Sequence, residues 1–313
     1  MAVEVRPGLI NRELNCYVNA IVYALSSLDS IVHRVRTGAD DLDGFQCVRD
    51  VRDKRLLRDS EAARATPCVT SVAILLGRLR AFDNRFARIA HHDAEEACSA
   101  LIRVAALDHL VGHSERVHLA CTRCFCGHAP SIHALFIVEL NISGLASVRQ
   151  GLANFQAETP IPCGVCGASD DGRKRTEILP RTDVFVIRIQ RVATGGNKIQ
   201  RVVPFEQQLT LGSSQFRLKA VVVHEGASSD CGHYFTCLRD GVGDDATWWR
   251  ADDATMRPMP ARAVESLSAT LLFYERAGAA ASEAARARAR NSDRTRTCRA
   301  TTAASGRPKG TRS

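Results

Sequence analysis

The chain has 313 residues, of which 45% are apolar and 24% charged, the balance of a folded globular protein with room for one large or two smaller cores. Its formal charge of +8 is unevenly placed: residues 277–313 hold nine Lys/Arg against Glu283 and Asp293, or +7, which leaves +1 for the 276 residues before them. Charge confined to one end excludes a basic body that tracks nucleic acid; any such contact is expected from the tail alone.

Met1 to Ile10 contains Glu4, Arg6 and Pro7 and no apolar run of signal-peptide length, and no 18-residue apolar stretch follows. Twelve cysteines without an export signal read as thiols, metal ligands or a nucleophile rather than disulfides. The expected setting is therefore intracellular, in cytoplasm or nucleus, with no membrane partner and a monomeric chain.

In chain order, Asn15-Cys16-Tyr17-Val18-Asn19 leads into Ile21, Val22, Leu25 and Leu28 at helical spacing, which places Cys16 in a helix's first turn. Arg36 to Arg64 is mixed in charge and reads as a solvated connection with short helices. From Thr66 to Leu110, apolar residues recur every three or four positions (Val72, Leu75, Leu76, Leu79; Ala97, Leu101, Val104, Leu107), a helical region. The period then changes to two: Phe185, Ile187 and Ile189 alternate with Val186, Arg188 and Gln190, and Phe216, Leu218 and Ala220 lead into Val221-Val222-Val223. The second half is mostly strands. After Arg276 the Ala/Arg/Ser/Thr-rich tail has no aromatic, Leu, Ile or Val residue and is expected to stay disordered.

Two C-x-x-C pairs, Cys121/Cys124 and Cys163/Cys166, have the spacing at which two tight turns give a closed tetrahedral sulfur site for structural zinc. Cys126 and His128 beside the first pair are alternative ligands. Further on, Cys231-Gly232-His233-Tyr234-Phe235 and Thr247-Trp248-Trp249-Arg250 read as a hairpin. A turn centred near Gly243 sets His233 opposite Asp253, with Asp252 one step away. An imidazole with a carboxylate partner is held in one tautomer, as a general base must be. A thiol at a helix N-terminus beside such a histidine is expected to ionise below its ordinary range, giving a thiolate nucleophile at neutral pH.

From Gly8 to about Arg276 the chain resembles the ubiquitin-specific protease family. Gly8-Leu9-Ile10-Asn11 and Cys16-Tyr17-Val18-Asn19 resemble its cysteine box, and His91-His92-Asp93-Ala94-Glu95-Glu96 its Q-Q-D-A-x-E-F box. His224-Glu225-Gly226, Gly232-His233-Tyr234, Trp248 to Asp253 and Leu272 to Arg276 resemble its histidine box and last strand. The resemblance implies an α+β, papain-like cysteine protease fold with a helical thumb bearing Cys16, a β-rich palm bearing His233, and zinc-ribbon fingers. Its domain would run over 1–276 with a fingers insertion at about 117–180, followed by the tail at 277–313.

By position, the resemblance makes Cys16 the nucleophile, His233 the base, Asp252 the residue that orients it, by the spacing from Trp248, and Asn11 the oxyanion donor. Asp93 matches the acid that receives an arginine of ubiquitin's C-terminal tail, and Asp253, His224 and Tyr234 are further substrate-contacting positions. The implied activity is a thiol-dependent deubiquitinase that hydrolyses the bond at ubiquitin's C-terminal glycine. Its implied partners are ubiquitin and ubiquitinated proteins. Alternatives are a protease for another ubiquitin-like modifier and a ubiquitin-binding protein of little turnover. A zinc-finger nucleic-acid binder leaves the histidine box unexplained. The chain departs from the family at Glu13-Leu14-Asn15, where Gly-Asn-Thr is usual, at His91-His92, at Cys231 and at Ala251.

Overall fold

A computed structural model describes residues 6–37, 44–56, 69–193, 197–229, 231–241 and 246–278. The turn around Gly243 and the tail beyond Gly278 lie outside the described residues.

The helices fall mostly in the first half: α1 (Cys16–Ser26), α2 (Asp29–Thr37), α3 (Gln46–Leu56), α4 (Val69–Phe82), a 3-10 turn (Asn84–Ala87) and α5 (Ala94–Val104). All eleven residues of α1 are buried, the state expected of a helix that is apolar nearly all round. Helix α5 begins where the Asp93 side chain accepts the Glu95 amide; Glu95 and Glu96 in its first turn and Arg103 in its last complement the helix dipole.

The strands are β1 (Arg6–Pro7), β2 (His113–Cys121), β3 (Ser131–Leu135), β4 (Ile137–Asn141), β5 (Thr159–Ile161), β6 (Gly172–Leu179), β7 (Val184–Gln190), β8 (Gln208–Leu211), β9 (Ser214–Glu225), β10 (His233–Asp240), β11 (Thr247–Asp252), β12 (Thr255–Met259) and β13 (Ala269–Arg276). One sheet orders β1-β12-β11-β10-β9-β13-β7-β4, with β8 on β9; a second, smaller one orders β3-β2-β6-β5. Among the pairs of named strands described, only β4–β7 is parallel. Strand β4 therefore returns to the large sheet from within the 117–180 segment, and α6 (Val148–Gln156) packs its Val148 and Leu152 into the core on that sheet's far face.

Alternation in β7, β9 and β13 divides their apolar residues between two cores. Val184, Val186, Ala220, Val222, Leu271 and Phe273 face the helices. Phe185, Ile187, Leu218, Val221, Leu272 and Tyr274 face the opposite core, closed by α6 and by α7 (Ala261–Glu265). A strand buried on both faces reads as an unbroken apolar run, which is the origin of Val221-Val222-Val223. Ala220 does not share the face of Phe216 and Leu218, because the β9–β13 register slips between Phe273 and Tyr274, leaving Lys219 as an extra residue. The register slips back between Ala269 and Leu271, where Thr270 is the extra residue on the other strand.

Candidate active site

The segment before α1 is a tight turn built on side-chain amides. Leu14 lies at φ 55°, and Asn15 Oδ1 accepts the Arg12 and Glu13 amides at 3.0 and 3.3 Å. The Asn15 amide in turn donates to Asn11 Oδ1 at 2.9 Å. Glu13 points outward to an ion pair with Arg80 of α4 at 2.7 Å, so its bulk and charge are drawn off the turn.

Cys16 opens α1, and Thr236 Oγ1 donates to Ala20 O at 2.8 Å, pinning α1 to β10, the strand that His233 opens. Burial pushes the Cys16 thiol above its ordinary pKa, the charge of Asp253 adds to this, and the amides of Tyr234, Tyr17 and Cys16 itself oppose it. The net direction is up. The cause is that the residue is only 2% exposed, so loss of hydration outweighs the amides that solvate the sulfur. The Tyr17 and Cys16 amides have no partner inside the first turn of a helix, so they are available to stabilise negative charge there.

His233 Nε2 lies 2.7 Å from Asp252 Oδ1 and 4.0 Å from Asp253 Oδ2. Burial raises the Asp252 carboxyl, but hydrogen bonds from His233 and Arg250 outweigh it and hold the pKa below the usual range. An ionised carboxylate only accepts, so Nε2 is the donor in this contact and Nδ1 is the ring nitrogen left free of Asp252. Arg250 donates to Asp252 Oδ2 at 2.8 Å and stacks over Phe235 at 3.6 Å from the ring centroid. The hairpin pairs Thr236 with Ala251 and Leu238 with Trp249, one residue away from a turn centred on Gly243. Counting from that centre misplaced His233 by one, whereas the spacing from Trp248 leads to the carboxylate it touches.

Asp253 occupies φ 42° and ties the site's edges together. Its carboxylate accepts from Asn11 Nδ2 at 3.0 Å and Asn19 Nδ2 at 2.9 Å, and its carbonyl from the Leu9 amide at 2.8 Å and Tyr23 Oη at 2.6 Å. Asn11 thus commits one amide proton to Asp253. At Gly8 a Cβ would stand 2.2 Å from both Asp253 O and Tyr23 Oη, so only glycine fits.

Beyond His233, the Tyr234 and His224 rings stack at 4.4 Å. Burial and the charge of Lys198 push the His224 imidazole down to about 4, leaving it neutral, with Nδ1 accepting from Lys198 Nζ at 3.0 Å. Gly232 is a close-approach glycine: a Cβ there would lie 2.5 Å from His224 Nε2. Asp93 lies on the same side, near enough to bias the protonation of both His224 and Tyr234. Its Oδ2 is paired with Arg188 at 3.1 Å. His92 packs its ring against Tyr17 at 5.2 Å and Phe86 at 5.1 Å; His91 is exposed. Ala251 is fully buried and Cys231 exposed.

At the end of the small sheet, the sulfurs of Cys121, Cys124, Cys163 and Cys166 lie within 4.8 Å of one another. Cys121–Cys166 and Cys124–Cys163 are each 3.8 Å apart; Cys126 also reaches Cys163 at 3.8 Å without joining the four, and His128 is not in the group. The fit to a metal is good on two grounds. Four thiols converge with no open position, and the local core is only Cys121, Cys163 and Ala168 with Cys126 against it, too small to hold the turns alone.

Sequence reasoning missed Asn15 and Tyr23, gave Asn19 no role, and overlooked Arg250. The first three formed a legible signal: polar side chains at 15, 19 and 23 make an i, i+4, i+8 stripe on a helix otherwise apolar.

A sequence model described as ubiquitin carboxyl-terminal hydrolase matches residues 7–274. Ubiquitin carboxyl-terminal hydrolase 17-like protein B of Mus musculus is 29% identical over 175 residues, 51% of this chain and 36% of the relative, so the match spans about a third of that relative's length. The fold is shared with the SAGA deubiquitinating module Ubp8/Sgf11/Sus1/Sgf73 bound to monoubiquitin, at TM-score 0.71 and 18% identity over 88% of this chain and 71% of the other. The same module bound to ubiquitin aldehyde gives TM-score 0.69 and 18% identity over 86% and 69%. With a match that runs from the strand before Gly8 to the last strand of the large sheet, the chain belongs to the ubiquitin carboxyl-terminal hydrolase family.

Proposed function

We propose that this chain is a cysteine-type deubiquitinating peptidase that cleaves the isopeptide or peptide bond at the C-terminal glycine of ubiquitin, within one catalytic unit over 1–276. The observation that carries the reading is the 2.7 Å contact of His233 Nε2 with Asp252: a proton donated there from Nε2 makes Nδ1 the nitrogen that can act as base, one residue from the amide that touches the Cys16 thiol.

In this mechanism His233 Nδ1 takes the thiol proton as the sulfur attacks the glycine carbonyl. The tetrahedral oxyanion is met by the Cys16 and Tyr17 amides and the second amide proton of Asn11. The imidazolium then protonates the leaving amine, an acyl-enzyme remains on Cys16, and water, deprotonated by the same imidazole, releases ubiquitin. Asp252 orients the ring throughout and stabilises its positive form. Ubiquitin as partner is supported by family membership and by fold neighbours solved with monoubiquitin and ubiquitin aldehyde. A zinc ion held by Cys121, Cys124, Cys163 and Cys166 would be structural, fixing the small sheet. Among the described residues no helix is long and apolar enough to cross a membrane.

The burial of the Cys16 thiol, which pushes its pKa up, favours a second reading, in which the chain binds ubiquitin and turns it over slowly. One experiment separates the two: reaction with ubiquitin carrying an electrophilic C-terminus, beside a panel of other modifiers treated alike. A covalent adduct with ubiquitin, absent in Cys16→Ala, supports the enzyme; binding without an adduct supports the second reading; an adduct with another modifier alone changes the substrate.

A further inference from the structure

The start of α5 carries more than a helix cap. Asp93 Oδ1 accepts the Glu95 amide at 2.7 Å, and its Oδ2 faces Arg188 Nη2 at 3.1 Å; the other arm of the same guanidinium, Nη1, lies 2.8 Å from Glu95 Oε2. Arg188 sits in β7, directly opposite Glu139 of β4. Burial raises the Glu95 carboxyl, Arg188 lowers it, and Asp93 and Glu139 raise it again. Two carboxylates thus share one guanidinium, with Glu139 opposite it on β4, a formal surplus of two negative charges near the Tyr234–His224 stack.

We infer that Arg188 is a specificity-determining residue: a built-in guanidinium that holds, in the free protein, the Asp93 carboxylate at which a cationic side chain of the substrate's extended C-terminal segment docks. This rests on the proposed reading of the site. Geometry decides between sharing and competition. Both Asp93 oxygens already have a partner, one from the chain's own α5 and one from Arg188, so an arriving guanidinium approaches a carboxylate that carries a like charge on its flank. The remaining negative charge from Glu95 and Glu139 still attracts the substrate cation, but a second guanidinium at Asp93 meets the like charge of Arg188, and relieving that repulsion moves Arg188 onto Glu95. That rearrangement lowers apparent affinity as any unfavourable pre-equilibrium does. The fork's contacts are Asp93 and Glu95, next to the Ala94 amide that reaches Tyr234, and include neither Cys16 nor His233, so its influence falls on binding rather than on bond making.

The test uses the full chain and a fluorogenic ubiquitin C-terminal substrate. Arg188→Gln should lower KM by about fivefold, the effect of removing a modest competing equilibrium, with kcat within about twofold of the parent. Arg188→Lys, which keeps the charge with a single donor, should fall between, and serves if Arg188→Gln does not fold. A substrate whose tail arginines are replaced by glutamine should show no such gain. Turnover with a KM that is unchanged or higher in both variants overturns the assignment, since that is the result of a side chain that merely steadies Asp93. No turnover by the parent chain overturns the function reading as well.

Discussion

His233 presents Nε2 to Oδ1 of Asp252 at 2.7 Å, while Arg250 grips the other oxygen of the same carboxylate at 2.8 Å. Asp252 is therefore both fixed in direction and held ionised, and its neighbour Asp253 is occupied with Asn11 and Asn19.

The two acids should separate in their effects. Asp252→Ala lets the imidazole change tautomer and should cut kcat on the order of a hundredfold or more. Asp253→Ala keeps that contact, so its loss of kcat should be smaller. It leaves Asn19 buried without its carboxylate and should cost about 1–3 kcal/mol of stability, more than Asp252→Ala does. Fluorogenic kinetics and thermal unfolding of the two variants check this. A larger kcat loss in Asp253→Ala would transfer the orienting role to the carboxylate 4.0 Å from His233.

Cys16 alkylation should follow pH in a definite direction. Its thiol is raised by burial and by Asp253, so less thiolate exists at neutral pH than in an ordinary cysteine. Iodoacetamide labelling of the Cys16 peptide, followed by mass spectrometry, should be slow near pH 7 and still climbing above the ordinary thiol range. Asp253→Asn removes a repelling charge and should move the profile to lower pH. Fast, pH-independent labelling at pH 6 would instead reveal a preformed thiolate–imidazolium pair.

Metal analysis of the purified chain should return about one equivalent of zinc, since structural sites of this kind bind tightly enough to copurify. Cys163→Ser should lose most of it, and the segment around Cys121–Gly172 should become open to limited proteolysis. Less than about half an equivalent in folded protein would contradict the four-thiol site.

The fold class was legible because helical periodicity dominates up to Leu110 and twofold periodicity after it, and each follows directly from which side chains need burying. The zinc-ribbon fingers were expected from the two C-x-x-C pairs, but the register of the small sheet was not legible: β3 is exposed along its length, so no buried face fixes it, and its register comes from pairing with β2. At the site, Cys16 and His233 were marked by local pattern. Arg188 and Arg250 were not, because an arginine in a strand gives no hint of which distant carboxylate it will meet. The depth at which the thiol lies was not legible either, since a helix-terminal position argues for a lowered pKa whereas three-dimensional burial pushes it up.

The extra residues Lys219 on β9 and Thr270 on β13 cancel each other, so the two strands leave their shared stretch in the relation with which they entered it. Lys219 uses its place to reach Asp29 at 2.9 Å and Glu275 at 3.4 Å, tying α2 to the sheet. Chain length in this part of the molecule is therefore constrained in pairs. Removing Lys219 alone would move Ala220, Val222 and everything after them, including His224, to the wrong faces; removing Thr270 alone would do the same to one end of β13. Removing both restores a regular ladder with each apolar side chain in its present core, so the double deletion should fold where each single deletion fails, at the cost of the ion pairs to Asp29 and Glu275. Soluble yield and circular dichroism of the three deletion variants would show this, and equal behaviour of all three would mean that the strands can slip.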